Sequence, residues 1–107
     1  MPGWLPRVLI RIHAFAVKRE VRFTLKALRE VAALGLGLDP MDVCDVLARL
    51  RSGDSAGRVR STSTGEWLYV FTPRVASTTL YVKLLLRSGC LIVSFHEDEW
   101  GEDDASD

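Results

Sequence analysis

The chain has 107 residues, of which 48% are hydrophobic, 26% charged and 8% aromatic. This composition is typical of one small globular domain, and it excludes a fibre, a long disordered chain and a multidomain enzyme. No apolar run approaches the ~20 residues of a membrane-spanning helix. The first residues lack the pattern of a signal peptide, and Cys44 and Cys90 lack metal-binding spacing. We therefore expect a cytoplasmic protein with reduced thiols.

The formal net charge is zero, but the charges are distributed unevenly along the chain. Residues 1–96 contain all 14 basic residues and seven of the 14 acidic ones, so they carry +7, whereas residues 97–107 carry −7. We expect residues 1–96 to form one domain and residues 97–107 to be a disordered acidic tail. A basic domain suits a polyanionic ligand. The tail either competes for that surface or only keeps the protein soluble.

Apolar residues recur at helical spacing in the first half of the chain. They predict a first helix over about 6–19 and, after a short strand at 21–25, a second helix that ends at Gly35. A third helix is predicted to begin at Asp39 and Pro40, because a capping carboxylate precedes a proline at the first helical position.

From residue 57 onward apolar and polar residues alternate, which indicates strands. The predicted strands are 58–62, 67–71, 78–86 and 90–96. A turn at Gly65 and a hairpin at 87–89 connect them. The order of elements predicts an α+β fold in which N-terminal helices pack on an antiparallel sheet formed mainly by the C-terminal half.

Side-chain alternation predicts which residues share a face of this sheet. In the last strand, Ile92, Ser94 and His96 are expected to point the same way. If the strand registers allow, one face presents several groups that suit RNA chemistry, namely Arg58, Arg60, Tyr81, Lys83 and His96. Cations can hold phosphate, while a phenol and an imidazole can move protons. Solvated strands often carry the same residues without a function. Alternation alone therefore does not distinguish an active site from an ordinary protein surface.

The segment from residue 33 to 97, and more loosely 21–32, resembles the MqsR family of type II toxins, which are mRNA-cleaving proteins with a RelE-like fold. The most specific match is Leu80-Tyr81-Val82-Lys83 followed by Leu91-Ile92-Val93-Ser94-Phe95-His96-Glu97. Other matching stretches are Leu34-Gly35-Leu36, Met41 with Cys44-Asp45-Val46, Trp67 with Val70-Phe71, and Pro73-Arg74. The resemblance implies an endoribonuclease that acts on mRNA, free or on the ribosome, without a metal ion or other cofactor. It also implies that the toxin inhibits translation and growth until a cognate antitoxin protein neutralises it.

The resemblance also implies site residues. The active-site tyrosine of the family falls on Tyr81, and its C-terminal lysine falls on His96. This second position is a departure, although many RelE-fold toxins use a histidine near this end of the chain as an acid or a base. A further lysine of the family, on the first hairpin strand, falls near Arg58 or Arg60.

A glutamine of the family falls on Leu68, which cannot replace it, while Glu66 projects from the same face and is a candidate for the polar role. We expect His96 to act as general acid, because imidazoles titrate near pH ~6.5, and Glu66 or Tyr81 to act as base. The expected phosphate ligands are Arg58, Arg60, Lys83 and Arg74. The alternative function is a non-catalytic RNA-binding or interaction module on the same fold.

Overall fold

The computed structural model describes residues 2–98 and contains three α-helices and six strands in that range. The helices are Leu5–Val17 (α1), Leu25–Ala33 (α2) and Pro40–Ala48 (α3), with a short 3₁₀ turn at Ser52–Asp54. The strands are Val21–Phe23 (β1), Ser55–Arg60 (β2), Trp67–Phe71 (β3), Arg74–Val75 (β4), Thr78–Leu86 (β5) and Cys90–Glu97 (β6). The predicted α+β class is confirmed. The predicted acidic tail begins at Glu97, which ends β6, and its residues 99–107 lie outside the described residues.

Side-chain caps explain where the second and third helices begin. The hydroxyl of Thr24 accepts a hydrogen bond from the Ala27 amide at 3.1 Å. Asp39 and Asp42 form a reciprocal capping box, in which each carboxylate accepts from the backbone amide of the other at 2.8 and 2.9 Å. The start predicted at Asp39 is therefore confirmed.

The strand order in the sheet is β1-β6-β5-β3-β2, with β4 paired to β5. The pairs formed by the C-terminal strands are antiparallel, as expected, but β1 pairs in parallel with β6. The sheet is therefore mixed, with the strands of its C-terminal half paired antiparallel as expected. Parallel pairing requires a long connection, and α2 and α3, which follow β1, supply part of it.

The three helices and one face of the sheet enclose a single hydrophobic core. Phe71, Val82 and Phe95 are fully buried on the sheet side, and Ile12 and Leu47 are fully buried on the helix side. We call this side of the sheet the helix face and the opposite side the outer face. No helix within residues 2–98 combines the length and the apolar character needed to cross a bilayer.

A β-bulge in β6 decides which residues reach the outer face. Lys83 lies opposite Ser94, but Leu84 lies opposite Ile92, so Val93 is the extra residue between them. The extra residue reverses the alternation, and Ile92 is fully buried in the core. The expectation that Ile92 shares a face with Ser94 and His96 is therefore wrong.

Beyond β1, side chains of α2 and of its N-cap residue Thr24 cover the free edge of β6. Thr24 Oγ1 and Lys26 Nζ both lie 3.4 Å from the carbonyl oxygen of Val93, to which they donate. The amide of Phe95 donates to Glu30 Oε1 at 2.9 Å. These bonds satisfy backbone groups that an uncovered edge strand would leave to solvent or to another chain.

Candidate active site

Tyr81 and His96 lie side by side on the outer face. They occupy directly opposed positions of β5 and β6, and their rings stack with centroids 5.0 Å apart and planes inclined by 12°. Both side chains are half-buried, so each has one side open to solvent. The structure thus brings together the two residues expected to move protons.

The backbone fixes which nitrogen of His96 is available for proton exchange. Nδ1 lies 2.8 Å from the carbonyl oxygen of Glu97. Because a carbonyl only accepts hydrogen bonds, Nδ1 is the nitrogen that carries the hydrogen. Nε2 of the neutral ring can then accept a proton, and the same atom donates one when the ring is charged.

The phenol of Tyr81 is held in its protonated form. Burial raises its pKa above the ordinary value of 10, and the negative charge of the nearby Asp98 raises it further. At neutral pH this group therefore donates a hydrogen bond or a proton, and it is poorly suited to act as a base.

Lys83 is the second residue of β5, after Tyr81, that lies on the outer face and was expected in the site. It lies two residues beyond Tyr81, on the same face, and its neighbour across the strands is Ser94. Arg74 pairs with Thr79, two residues before Tyr81, so it lies near the same end of β5. Lys83 therefore lies on the same face as the ring pair, whereas Arg74 lines a pocket with Asp42 and Asp45 of α3 that includes neither ring.

A second lysine, which the sequence pattern does not reveal, lies at this surface. Lys26, on α2, donates to Ser94 Oγ at 3.0 Å and forms an ion pair with Glu30 at 3.1 Å. Burial alone would raise the pKa of Glu30, but the bond from Phe95, the Lys26 ammonium and the charge of His96 together lower it. The signal for Lys26 is tertiary, because only the packing of α2 against the edge of β6 brings it here.

Arg58 and Arg60 do not lie on the outer face, so the expectation that they join Tyr81 and His96 is wrong. The register places them opposite Tyr69 and Trp67, whose side chains point toward the helices. The loop from residue 61 to 66 sets this register, since it closes the β2–β3 hairpin with Arg60 opposite Trp67.

On the helix face these arginines form an arginine–tryptophan stack with Trp4 and Trp67. The guanidinium carbon of Arg58 lies 3.8 Å from the ring centroid of Trp67 and 4.8 Å from that of Trp4. The guanidinium carbon of Arg60 lies 4.0 Å from the Trp67 centroid. Such contacts are cation–π interactions, and here they join the start of α1 to the β2–β3 hairpin.

Glu66 also lies away from the ring pair. Its carboxylate accepts two hydrogen bonds from Arg87, at 2.9 and 2.7 Å. Arg87 lies six residues beyond Tyr81, which corresponds to roughly 20 Å along a strand. The hydrogen bonds from Arg87, together with one involving Thr64, lower the pKa of Glu66 to about 2. The carboxylate expected as a base is thus remote and weakly basic.

Comparison with known proteins identifies the family. A family model described as "Motility quorum-sensing regulator, toxin of MqsA" matches residues 7–97, which is nearly all of the described chain and includes Tyr81, Lys83 and His96. No curated protein matches the chain. The family implies a toxin of a toxin–antitoxin system, and therefore an antitoxin as partner. On the extent of this match, the chain belongs to the MqsR family of toxins.

Proposed function

We propose that this toxin is an endoribonuclease that cleaves mRNA, free or on the ribosome, and so inhibits translation and growth until its antitoxin neutralises it. The observation that carries the proposal is the stacked pair of Tyr81 and His96 on the outer face, with Lys83 beside it. A phenol, an imidazole and an ammonium group on one surface can supply the acid, the base and the positive charge that RNA cleavage without a metal ion requires.

The reaction is an attack within the RNA strand. A base removes the proton of a ribose 2′-OH, and the oxygen attacks the adjacent phosphorus. A 2′,3′-cyclic phosphate forms, the bond to the 5′-oxygen breaks, and an acid gives that oxygen a proton. Lys83 offsets the negative charge that grows on the phosphate oxygens.

The two rings divide the proton transfers between them. Because Tyr81 holds its proton, it is the donor to the leaving 5′-oxygen. The neutral form of His96 takes the proton of the 2′-OH on Nε2, because Nδ1 carries the hydrogen bonded to the Glu97 carbonyl. This assignment reverses the one expected for His96, and it leaves Glu66 without a catalytic role because of its distance and its ion pair.

The test is an incubation of the purified toxin with end-labelled single-stranded RNA in excess EDTA. The expected products are fragments with 2′,3′-cyclic phosphate and 5′-hydroxyl ends, formed at the rate seen without EDTA. Intact RNA that the protein retains would instead favour the non-catalytic RNA-binding module. Cleavage that stops in EDTA would point to a metal-dependent reaction.

A further inference from the structure

The ammonium group of Lys26 is held in a fixed position at the border between α2 and the outer face. Three acceptors surround Nζ, which are Ser94 Oγ at 3.0 Å, Glu30 Oε2 at 3.1 Å and the Val93 carbonyl oxygen at 3.4 Å. An ammonium group has three hydrogen-bond donors, so these acceptors match its capacity. Even so, 61% of the Lys26 side chain is exposed, and the charge is accessible from the solvent side.

The contact with Ser94 places this charge relative to the ring pair. Ser94 lies two residues before His96 on the same face, a step of roughly 7 Å along a strand. Lys83 stands opposite Ser94 on β5, so Ser94 has a lysine on each side. Ser94 itself is buried, whereas Lys26 is exposed and Lys83 is half-buried.

Arg58 and Arg60 point to the helix face, so they do not supply positive charge to RNA on the outer face. An RNA strand that reaches Tyr81 and His96 carries a phosphate at every nucleotide, and neighbouring phosphates repel each other unless cations lie close to them. The ion pair with Glu30 offsets part of the Lys26 charge, and it also favours the side-chain position beside Ser94.

We propose that Lys26 is a substrate-binding residue that holds the phosphate next to the scissile one, so that the RNA backbone runs across β6 from the ring pair toward α2. The proposal rests on the ribonuclease function proposed above. It assigns to Lys26 a role in substrate affinity, separate from the proton transfers of Tyr81 and His96.

Three variants test this role. Lys26→Gln keeps hydrogen-bonding capacity and removes the charge, whereas Lys26→Arg keeps the charge. Lys18→Gln is the matched control, because Lys18 is an exposed lysine at the end of α1, next to β1 and the opposite end of β6. For each protein we would measure kcat and KM on a single-stranded RNA at several salt concentrations, together with Tm.

Lys26→Gln is expected to raise KM about tenfold with little change in kcat, since the positive charge beside the phosphate is lost. The slope of log affinity against log salt should fall by about 0.7, the value for one phosphate contact on a single strand. Lys26→Arg should restore both quantities, and Lys18→Gln should change neither. A merely structural Lys26 would lower Tm and kcat without moving the salt slope, and this result would overturn the proposal.

Binding of an uncleavable RNA separates this inference from the proposed function. A 2′-O-methyl oligonucleotide lacks the attacking hydroxyl, so its affinity for the toxin does not depend on catalysis. Weaker binding by Lys26→Gln than by Lys18→Gln would support the role of Lys26 even if the wild type cleaved no RNA. Equal binding by these two variants would overturn it, even if the wild type were an active ribonuclease.

Discussion

The two faces of the sheet carry similar residues that have different roles. On the helix face, Arg58 and Arg60 stack on tryptophan rings and join α1 to the β2–β3 hairpin. On the outer face, Tyr81 and His96 stack on each other with one side open to solvent. An arginine or an aromatic residue on a strand therefore gains its role from the face it points to, and one step along the strand changes that face.

Removal of the imidazole should have the largest effect on activity. His96→Ala is expected to slow RNA cleavage by about 10²- to 10⁴-fold, because the proposed base is lost, while Tm stays close to that of the wild type. The control is His13→Ala, which removes the chain's other histidine. Nε2 of His13 lies 2.8 Å from the carbonyl oxygen of Leu50 on the helix side. That variant should still cleave RNA. Full activity of His96→Ala in a gel-based cleavage assay would remove His96 from the mechanism.

Removal of one hydroxyl compares the two faces directly. Tyr81→Phe keeps the ring stack and removes the proton donor, so cleavage should fall by about 10²-fold. Tyr69→Phe makes the same chemical change on the helix face, where the ring centroids of Tyr69 and Trp4 lie 5.4 Å apart. This variant should leave the cleavage rate unchanged. Equal single-turnover rates of the two variants would contradict a catalytic role for the hydroxyl of Tyr81.

The arginine–tryptophan stack should affect stability rather than activity. Arg58→Ala is expected to lower the free energy of unfolding by about 1 kcal/mol, since both cation–π contacts and the packing of the side chain are lost. Arg29→Ala removes an exposed arginine from α2 and serves as the control for urea denaturation. A variant Arg58→Ala that unfolds like the wild type but no longer cleaves RNA would return Arg58 to the substrate site.

The smallest effect is expected at Glu66. Its folded-state pKa of about 2 lies below the ordinary 4.5, so the pair with Arg87 stabilises the folded protein at pH values above about 4.5. This contribution is lost as the pH falls from 4.5 toward 2. Glu66→Gln should therefore lower Tm slightly at pH 7, because the pair is exposed, and by much less near pH 2. Cleavage at pH 7 should be unchanged, and a large loss of rate would restore Glu66 as a catalytic candidate.

Much of the fold follows from local sequence signals. The helix start at Asp39 rests on a carboxylate and a proline at fixed positions, and the structure contains the capping box that they predict. Tyr81 shares a face with Lys83, and Ser94 shares one with His96, because alternation holds over these short spans of each strand. In these cases the cause lies within a few residues, and the sequence displays it.

The remaining features depend on contacts between distant residues. The bulge at Val93 coincides with hydrogen bonds from Thr24 and Lys26, nearly 70 positions earlier in the chain. The position of β1 beside β6 likewise depends on tertiary packing. Lys26 consequently showed no signal in the sequence, and Ile92 was expected on the wrong face. Alternation shows which residues of a strand share a face, but it does not show which of the two faces of the sheet they occupy.

The pH dependence of kcat/KM for single-stranded RNA tests most directly that Tyr81 and His96 exchange the protons of the reaction. We predict that the rate rises over the range in which imidazoles titrate, about pH 6 to 7, and then stays level until the phenol of Tyr81 ionises at a pKa above its ordinary range. The rise should be absent from His96→Ala. A wild-type rate that falls between pH 6 and 7, or a rise that persists in His96→Ala, would contradict the account.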